Sequence, residues 1–203
     1  EILRVGKFPI DVEVAEPLYL GILTDTRFFQ NEKIQPSTFL SAGFLLSSGL
    51  DTSPIHNRLN RTRILPELKI LGRGLSKCRA DCGERLISVV LTRKDLAACN
   101  ATLENVWAGG LFGQLTSLEK TVVAACFIEG PDGKSYCELR SNGNFNVKEI
   151  AVEMGGGGHL CASGCNSSED IKEFSKKVLA LVRKRLSDFL GKFGEKKETR
   201  DKE

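Results

Sequence analysis

Met154-Gly155-Gly156-Gly157-Gly158-His159-Leu160-Cys161-Ala162-Ser163-Gly164 is the stretch on which the reading of this chain turns. Four successive glycines leave the backbone free of side chains and open to positive φ. Successive N–H groups in such a run can converge on one anion, as in a nest. The histidine that follows adds a further donor for phosphate. Small residues come next and permit close packing beneath the loop, which a flexible linker does not need. Gly155, Gly156, Gly157, Gly158 and His159 are therefore candidate phosphate-binding residues.

Working outward, Asn146 with Glu149 three residues later is a capping-box pattern for a helix that ends at Met154. Before it, residues 121–128 and 135–141 are apolar, β-rich runs joined by Gly130-Pro131-Asp132-Gly133, a strong hairpin signal. The second run ends in Leu139-Arg140-Ser141. An arginine at a strand end can fork onto a phosphate, so Arg140 and Ser141 join the candidate site. Residues 86–91 are apolar on both faces, as in a buried strand. Thr92 caps a short helix, and residues 100–117 read as a loose stretch. On the other side, Ser167 and Asp170 open a last helix whose Ile171, Phe174, Val178, Val182 and Leu186 share one face. Gly191 is expected to end it, leaving a charged, mobile tail over 191–203.

The first part of the chain has a different rhythm. Asp11 caps a helix running towards Leu23 with Pro17 inside it, and Pro36 opens a second helix through Leu46. Asp51 to Pro54 starts a third, to about Arg61. Pro66 starts a fourth, weakened by Gly72 and Gly74 and read as a connector; Cys78 to Glu84 is turn-like. The expected architecture is α/β: a mainly helical region over 1–63, a connector helix over 64–79, a small mixed sheet with helices over 80–190, and the tail. Within the helical region, Thr24-Asp25-Thr26 presents an acid flanked by hydroxyls, which suits a hard cation or an ordinary turn. His56 reads as a surface histidine.

Composition bounds the rest. The 203 residues are 41% hydrophobic, enough for a core. With 29 Lys and Arg against 26 Asp and Glu, the net charge of +3 indicates no strong polyanion partner by itself. No apolar run is long enough for a membrane span. Seven cysteines cannot all pair within the chain, and the Cys78/Cys82 and Cys161/Cys165 spacings are not those of zinc knuckles. Reduced thiols and a cytoplasmic location are expected. The chain opens on Glu1 in what reads as the end of an element, so a preceding segment is expected.

These residues carry a resemblance. Tyr19-Leu20-Gly21-Ile22-Leu23-Thr24-Asp25-Thr26-Arg27-Phe28 resembles the third metal-site motif of the DHH phosphoesterases. Leu139-Arg140-Ser141 followed by Gly155 to Gly164 resembles the signature of their DHH-associated C-terminal domain. The similarity is strongest to the bacterial oligoribonuclease and phosphoadenosine-phosphate phosphatase type, related to RecJ. It implies that residues 1–63 are the C-terminal part of the catalytic domain and that 80–190 hold substrate. Asp25 is similar to a manganese ligand of the family's two-ion site, while Arg140, the glycine run and His159 would take a terminal phosphate. Arg27 stands where the family has glycine. The family's Asp-x-Asp and Asp-His-His motifs are not among these residues, which hold only two histidines. Two readings follow. One is part of a metal-dependent phosphoesterase acting on short oligoribonucleotides, nucleoside bisphosphates or linear dinucleotides, this chain supplying the nucleotide binding. The other is a non-catalytic nucleotide- or nucleic-acid-binding module. Apolar surface left uncovered on the first helices is expected to favour a homodimer.

Overall fold

The computed structural model describes residues 5–26, 28–30, 34–60 and 63–200. It divides into two compact units, residues 1–62 and 63–203.

The described part of the first unit is helical: α1 (Val12–Asp25), α2 (Pro36–Leu46) and α3 (Ser53–Asn60). Asp11 caps α1 by accepting from the Val14 N–H at 3.0 Å. Pro36 sits in the first turn of α2, where its missing N–H costs nothing. Ala15, Tyr19, Leu23, Ala42, Leu45, Leu50 and Ile55 close into a small core. His56 departs from the surface reading. It is half-buried, with its ring 6.4 Å from that of Tyr19 and 6.2 Å from that of Phe28. Phe39, Leu40, Phe44 and Leu46 remain exposed on α2.

The second unit begins with α4 (Leu65–Lys77), then β1 (Arg79–Asp81) and β2 (Leu86–Leu91). Helices α5 (Arg93–Cys99), α6 (Leu103–Ala108) and α7 (Leu111–Thr116) cross to β3 (Val123–Glu129), which turns back into β4 (Ser135–Ser141). After α8 (Val147–Glu153) come β5 (Gly157–His159), β6 (Ala162–Ser167) and α9 (Ile171–Arg200). The six strands form one sheet in the order β1-β2-β3-β4-β6-β5, with β2 and β3 parallel and the other neighbours antiparallel. The expected mixed-sheet α/β architecture is thus the one found.

Alternation along the strands sorts the core into two layers. Leu86, Val123, Ala125, Phe127, Cys137 and Leu139 face α8 and α9, where Ile150, Phe174, Val178, Val182 and Leu186 meet them. Phe127 and Phe174 pack edge to face at 6.3 Å. Ile87, Val89, Leu91, Ala124, Cys126 and Ile128 face the layer built from Ile70, Leu96, Val106, Leu111 and Leu115 of α4 to α7.

Four expectations are corrected. Cys78 to Glu84 contributes the edge strand β1, not only a turn, because pairing with β2 overrides its polar character. The stretch 100–117 holds two short helices, whose Leu103, Val106, Leu111 and Leu115 are buried on the sheet. Leu160 to Gly164 is not merely packing beneath a loop, since Ala162 onwards is a sheet strand. Finally, α9 continues through Gly191 to Arg200 instead of ending there. One interior glycine costs only about 1 kcal/mol, and the Lys, Glu and Arg residues beyond it are good helix formers.

Candidate nucleotide-binding face

The glycine run is divided between two structural tasks. Gly155 takes φ +77, the left-handed conformation that ends a helix, and its N–H donates to the Val152 carbonyl at 3.0 Å. The Gly156 N–H donates to the Ala151 carbonyl at 2.7 Å. These two donors close α8, so the expected nest of four convergent N–H groups is corrected. Gly157, Gly158 and His159 are instead the edge strand β5, hairpinned to β6 through Leu160 and Cys161. An edge strand keeps one row of backbone groups unpaired, and these remain free for a ligand.

Packing explains two of the glycines but not a third. A Cβ on Gly156 would lie 2.1 Å from the Gly164 carbonyl oxygen, and one on Gly158 would lie 2.6 Å from that of Ala162. Gly158 also holds φ +136. A Cβ on Gly157 would meet nothing within 4 Å. Within the fold, then, the bare backbone at Gly157 serves no close approach.

Register decides which side chains share this face. Ile87 pairs with Ala124, Ala124 with Arg140, Arg140 with Ala162, and Ala162 with His159. Residues opposite one another in a ladder project to the same face, so these five form one row across the sheet. The first two lie under the α4–α7 layer. Of the last three, Arg140 borders that layer, with Phe112 of α7 against its guanidinium, while Ala162 is half-buried and His159 exposed. The neighbouring row runs Cys126, Glu138, Gly164 and Gly157. The result is a shallow floor of Ala162, Gly164 and Gly157, bordered by Arg140, Glu138 and His159.

Arg140 is held in place. Its guanidinium sits 4.8 Å over the Phe112 ring, donates to the Leu139 carbonyl at 3.0 Å and pairs with Glu138 at 2.9 Å. About a third of the side chain is exposed, so donors remain available. His159 is exposed at the end of β5. Ser141 is not brought to this face. It pairs with Val123 on the α8–α9 side, and its hydroxyl donates to the Phe145 carbonyl at 2.6 Å. Glu138 and Phe112 were not singled out from the sequence. Glu138 could have been, because it lies two residues before Arg140 and hence on the same face.

Two thiols, Cys137 and Cys165, lie buried at the sheet. All seven cysteines are free. Burial pushes the Cys137 thiol well above its ordinary value, and its hydrogen bond to Cys165 adds to this. The same hydrogen bond lowers the Cys165 thiol against the opposing effect of its burial.

Asp25 belongs to the first unit, as the exposed last residue of α1. Phe28 and Phe29 follow with φ of +57 and +60, an uncommon conformation for bulky residues. Arg27 lies outside the described residues. Among the described residues, no group of three or more His, Cys, Asp or Glu side chains is placed to hold a metal ion, so Asp25 alone does not make a two-metal site. No helix among them is long and apolar enough to cross a membrane.

Known proteins fit this geometry. The model of the DHHA1 domain matches residues 94–184. The bifunctional oligoribonuclease and PAP phosphatase NrnA of Mycoplasma genitalium is 30% identical over 164 residues, which are 81% of this chain and 49% of that protein. Its namesake from Thermus thermophilus is 28% identical over 176 residues, 86% of this chain and 52% of the relative. The chain thus spans about half the length of the curated relatives it matches. A solved exopolyphosphatase-related protein from Bacteroides fragilis superposes with a TM-score of 0.75 at 24% identity, over 89% of this chain and 51% of that one, a likeness of fold. With the glycine–histidine strand, the positioned arginine and these relatives in agreement, the chain carries a DHHA1 domain over residues 94–184 and is similar to the C-terminal part of the DHH phosphoesterases.

Proposed function

We propose that this chain is the substrate-holding part of a phosphoesterase acting on short oligoribonucleotides or nucleoside bisphosphates. The observation that carries the reading is the row Arg140, Ala162, His159 on one sheet face, running from the edge of the α4–α7 layer to an exposed histidine. Two sheet spacings put the Arg140 and His159 backbones about 10 Å apart, which a phosphate and its sugar can span. Arg140 presents a fork to phosphate, already oriented by Glu138 and Phe112, so little side-chain freedom is lost on binding. His159 and the unpaired row of β5 supply further donors. The side-chain-free floor at Gly157 and Gly164 lets the ligand approach the backbone closely.

Two manganese ions are part of this proposal, held by ligands that these residues do not supply together with Asp25. When bound, such ions activate water and neutralise phosphoryl oxygens. A cytoplasmic location accords with seven free thiols.

Calorimetric titration with a short oligoribonucleotide and with phosphoadenosine phosphate, with and without manganese, tests the reading while released mononucleotide is assayed. Binding that is lost in Gly157→Val, with the fold intact, supports it. Unchanged binding in that variant sinks the assignment of this face.

A further inference from the structure

A second charged concavity lies at the opposite edge of the sheet. It measures about 740 Å³ and is lined by Lys77, Arg79, Ser88, Lys172, Lys176 and Arg183, with apolar contributions from Val89, Val90 and Leu179. Its origin is geometric. The edge strand β1 is only three residues long, so a stripe of α9 at three- and four-residue spacing overhangs the edge of β2. That stripe is next to the one that packs on the core. The cavity therefore has a core wall on one side and long cationic side chains on the other.

Its chemistry is one-sided, for no Asp or Glu is among its lining residues. Three of the cations are partly neutralised from outside: Lys77 by Asp95, Lys176 by Glu173 at 2.8 Å and Arg183 by Asp81 at 2.6 Å. Arg79 and Lys172 form no ion pair among the described residues. A separate observation points the same way. Ser88 is buried to 9% exposure, pairs across the strand with Arg79, and its hydroxyl has no hydrogen-bond partner among the described residues. The hydroxyl oxygen is not sealed in the interior but opens to the cavity it lines, where a ligand oxygen can accept from it. The cavity also meets the first turn of α9, the end of a helix that favours negative charge.

We infer that the groove between β1 and α9 is a second anion site, which takes a compact, multiply charged phosphate group such as a pyrophosphate moiety. It cannot be a sub-site of the Arg140–His159 face. From the edge strand β1, the strand of Arg140 lies three spacings away and that of His159 five, about 14 and 24 Å. The two sites also lie on opposite faces, because Ser88 pairs with Ala125 of the α8–α9 layer whereas Arg140 pairs with Ala124 of the other. The inference does not depend on the function proposed above.

Inorganic pyrophosphate is the probe. The 203-residue chain is titrated calorimetrically at low ionic strength, beside Arg79→Ala/Lys172→Ala, Ser88→Ala and Arg140→Ala, with folding checked by circular dichroism. The double variant removes two exposed side chains and is expected to fold and to bind about tenfold or more weakly. Ser88→Ala is expected to weaken binding severalfold, and Arg140→Ala to leave this site's affinity unchanged. Absence of binding by the unaltered chain overturns the inference. So does equal binding by the double variant, or loss in Arg140→Ala alone. Capture of an oligoribonucleotide by these residues without pyrophosphate binding also overturns it, since an extended strand would then be the ligand.

Discussion

Arg140 and His159 stand in one cross-strand row, with Ala162 between them. They are brought together by β6, which inserts between β4 and β5 in the sheet although it follows both in sequence. The row continues beneath the α4–α7 layer as Ala124 and Ile87, so the same register that buries the core exposes the site.

Replacing Arg140 by Ala is expected to weaken phosphoadenosine-phosphate binding about tenfold to a hundredfold, the worth of a charge-assisted hydrogen bond. Lysine at this position restores the charge but not the fork or the stacking on Phe112, and is expected to recover only part of the loss. Calorimetry measures both. An affinity equal to that of the unaltered chain would remove Arg140 from the site.

Two neighbouring glycines separate fold from function. Gly156→Ala forces a methyl group against the Gly164 carbonyl and is expected to destabilise the protein by at least about 2 kcal/mol. Gly157→Ala meets only open space and is expected to change stability by less than about 0.5 kcal/mol. Urea unfolding of the two variants is the measurement. Comparable losses in both would mean that the β5 hairpin is packed differently.

Asp95 ties α5 to α4 and makes stability sensitive to acid. Burial by itself raises its carboxyl, but hydrogen bonds from Lys77, the Thr92 N–H and Arg73 outweigh this and hold it well below the usual carboxylate range. A group depressed in the folded state contributes stability that is fully present above its unfolded value of about 3.9 and is lost as the pH falls below it. Asp95→Asn is expected to cost about 1–3 kcal/mol at neutral pH, with the gap to the unaltered chain shrinking below about pH 4. Denaturant titrations across that range test it. A gap independent of pH would show that the shift is not real.

Phe174 joins α9 to the sheet through its contact with Phe127. Phe174→Ala is expected to cost about 3–5 kcal/mol as a core cavity. Chemical denaturation checks the value, and a loss under 1 kcal/mol would place α9 outside the cooperative unit.

The sequence by itself determined much of this protein. The periods of its apolar residues marked α1, α2, β2, β3, β4 and the core face of α9, because burial enforces 3.6- and 2-residue spacings locally. The glycine run and Arg140 marked the candidate face. Tertiary structure decided what those residues do. Glycine tolerates nearly every backbone conformation, so four in a row cannot say which pair ends a helix and which begins a strand. The α8 carbonyls and the β6 ladder made that choice. Pairing likewise drew β1 from a polar segment and turned Ser141 away from Arg140. Whether two side chains many residues apart share a face is a matter of strand order and register, and these are fixed only when the whole sheet packs.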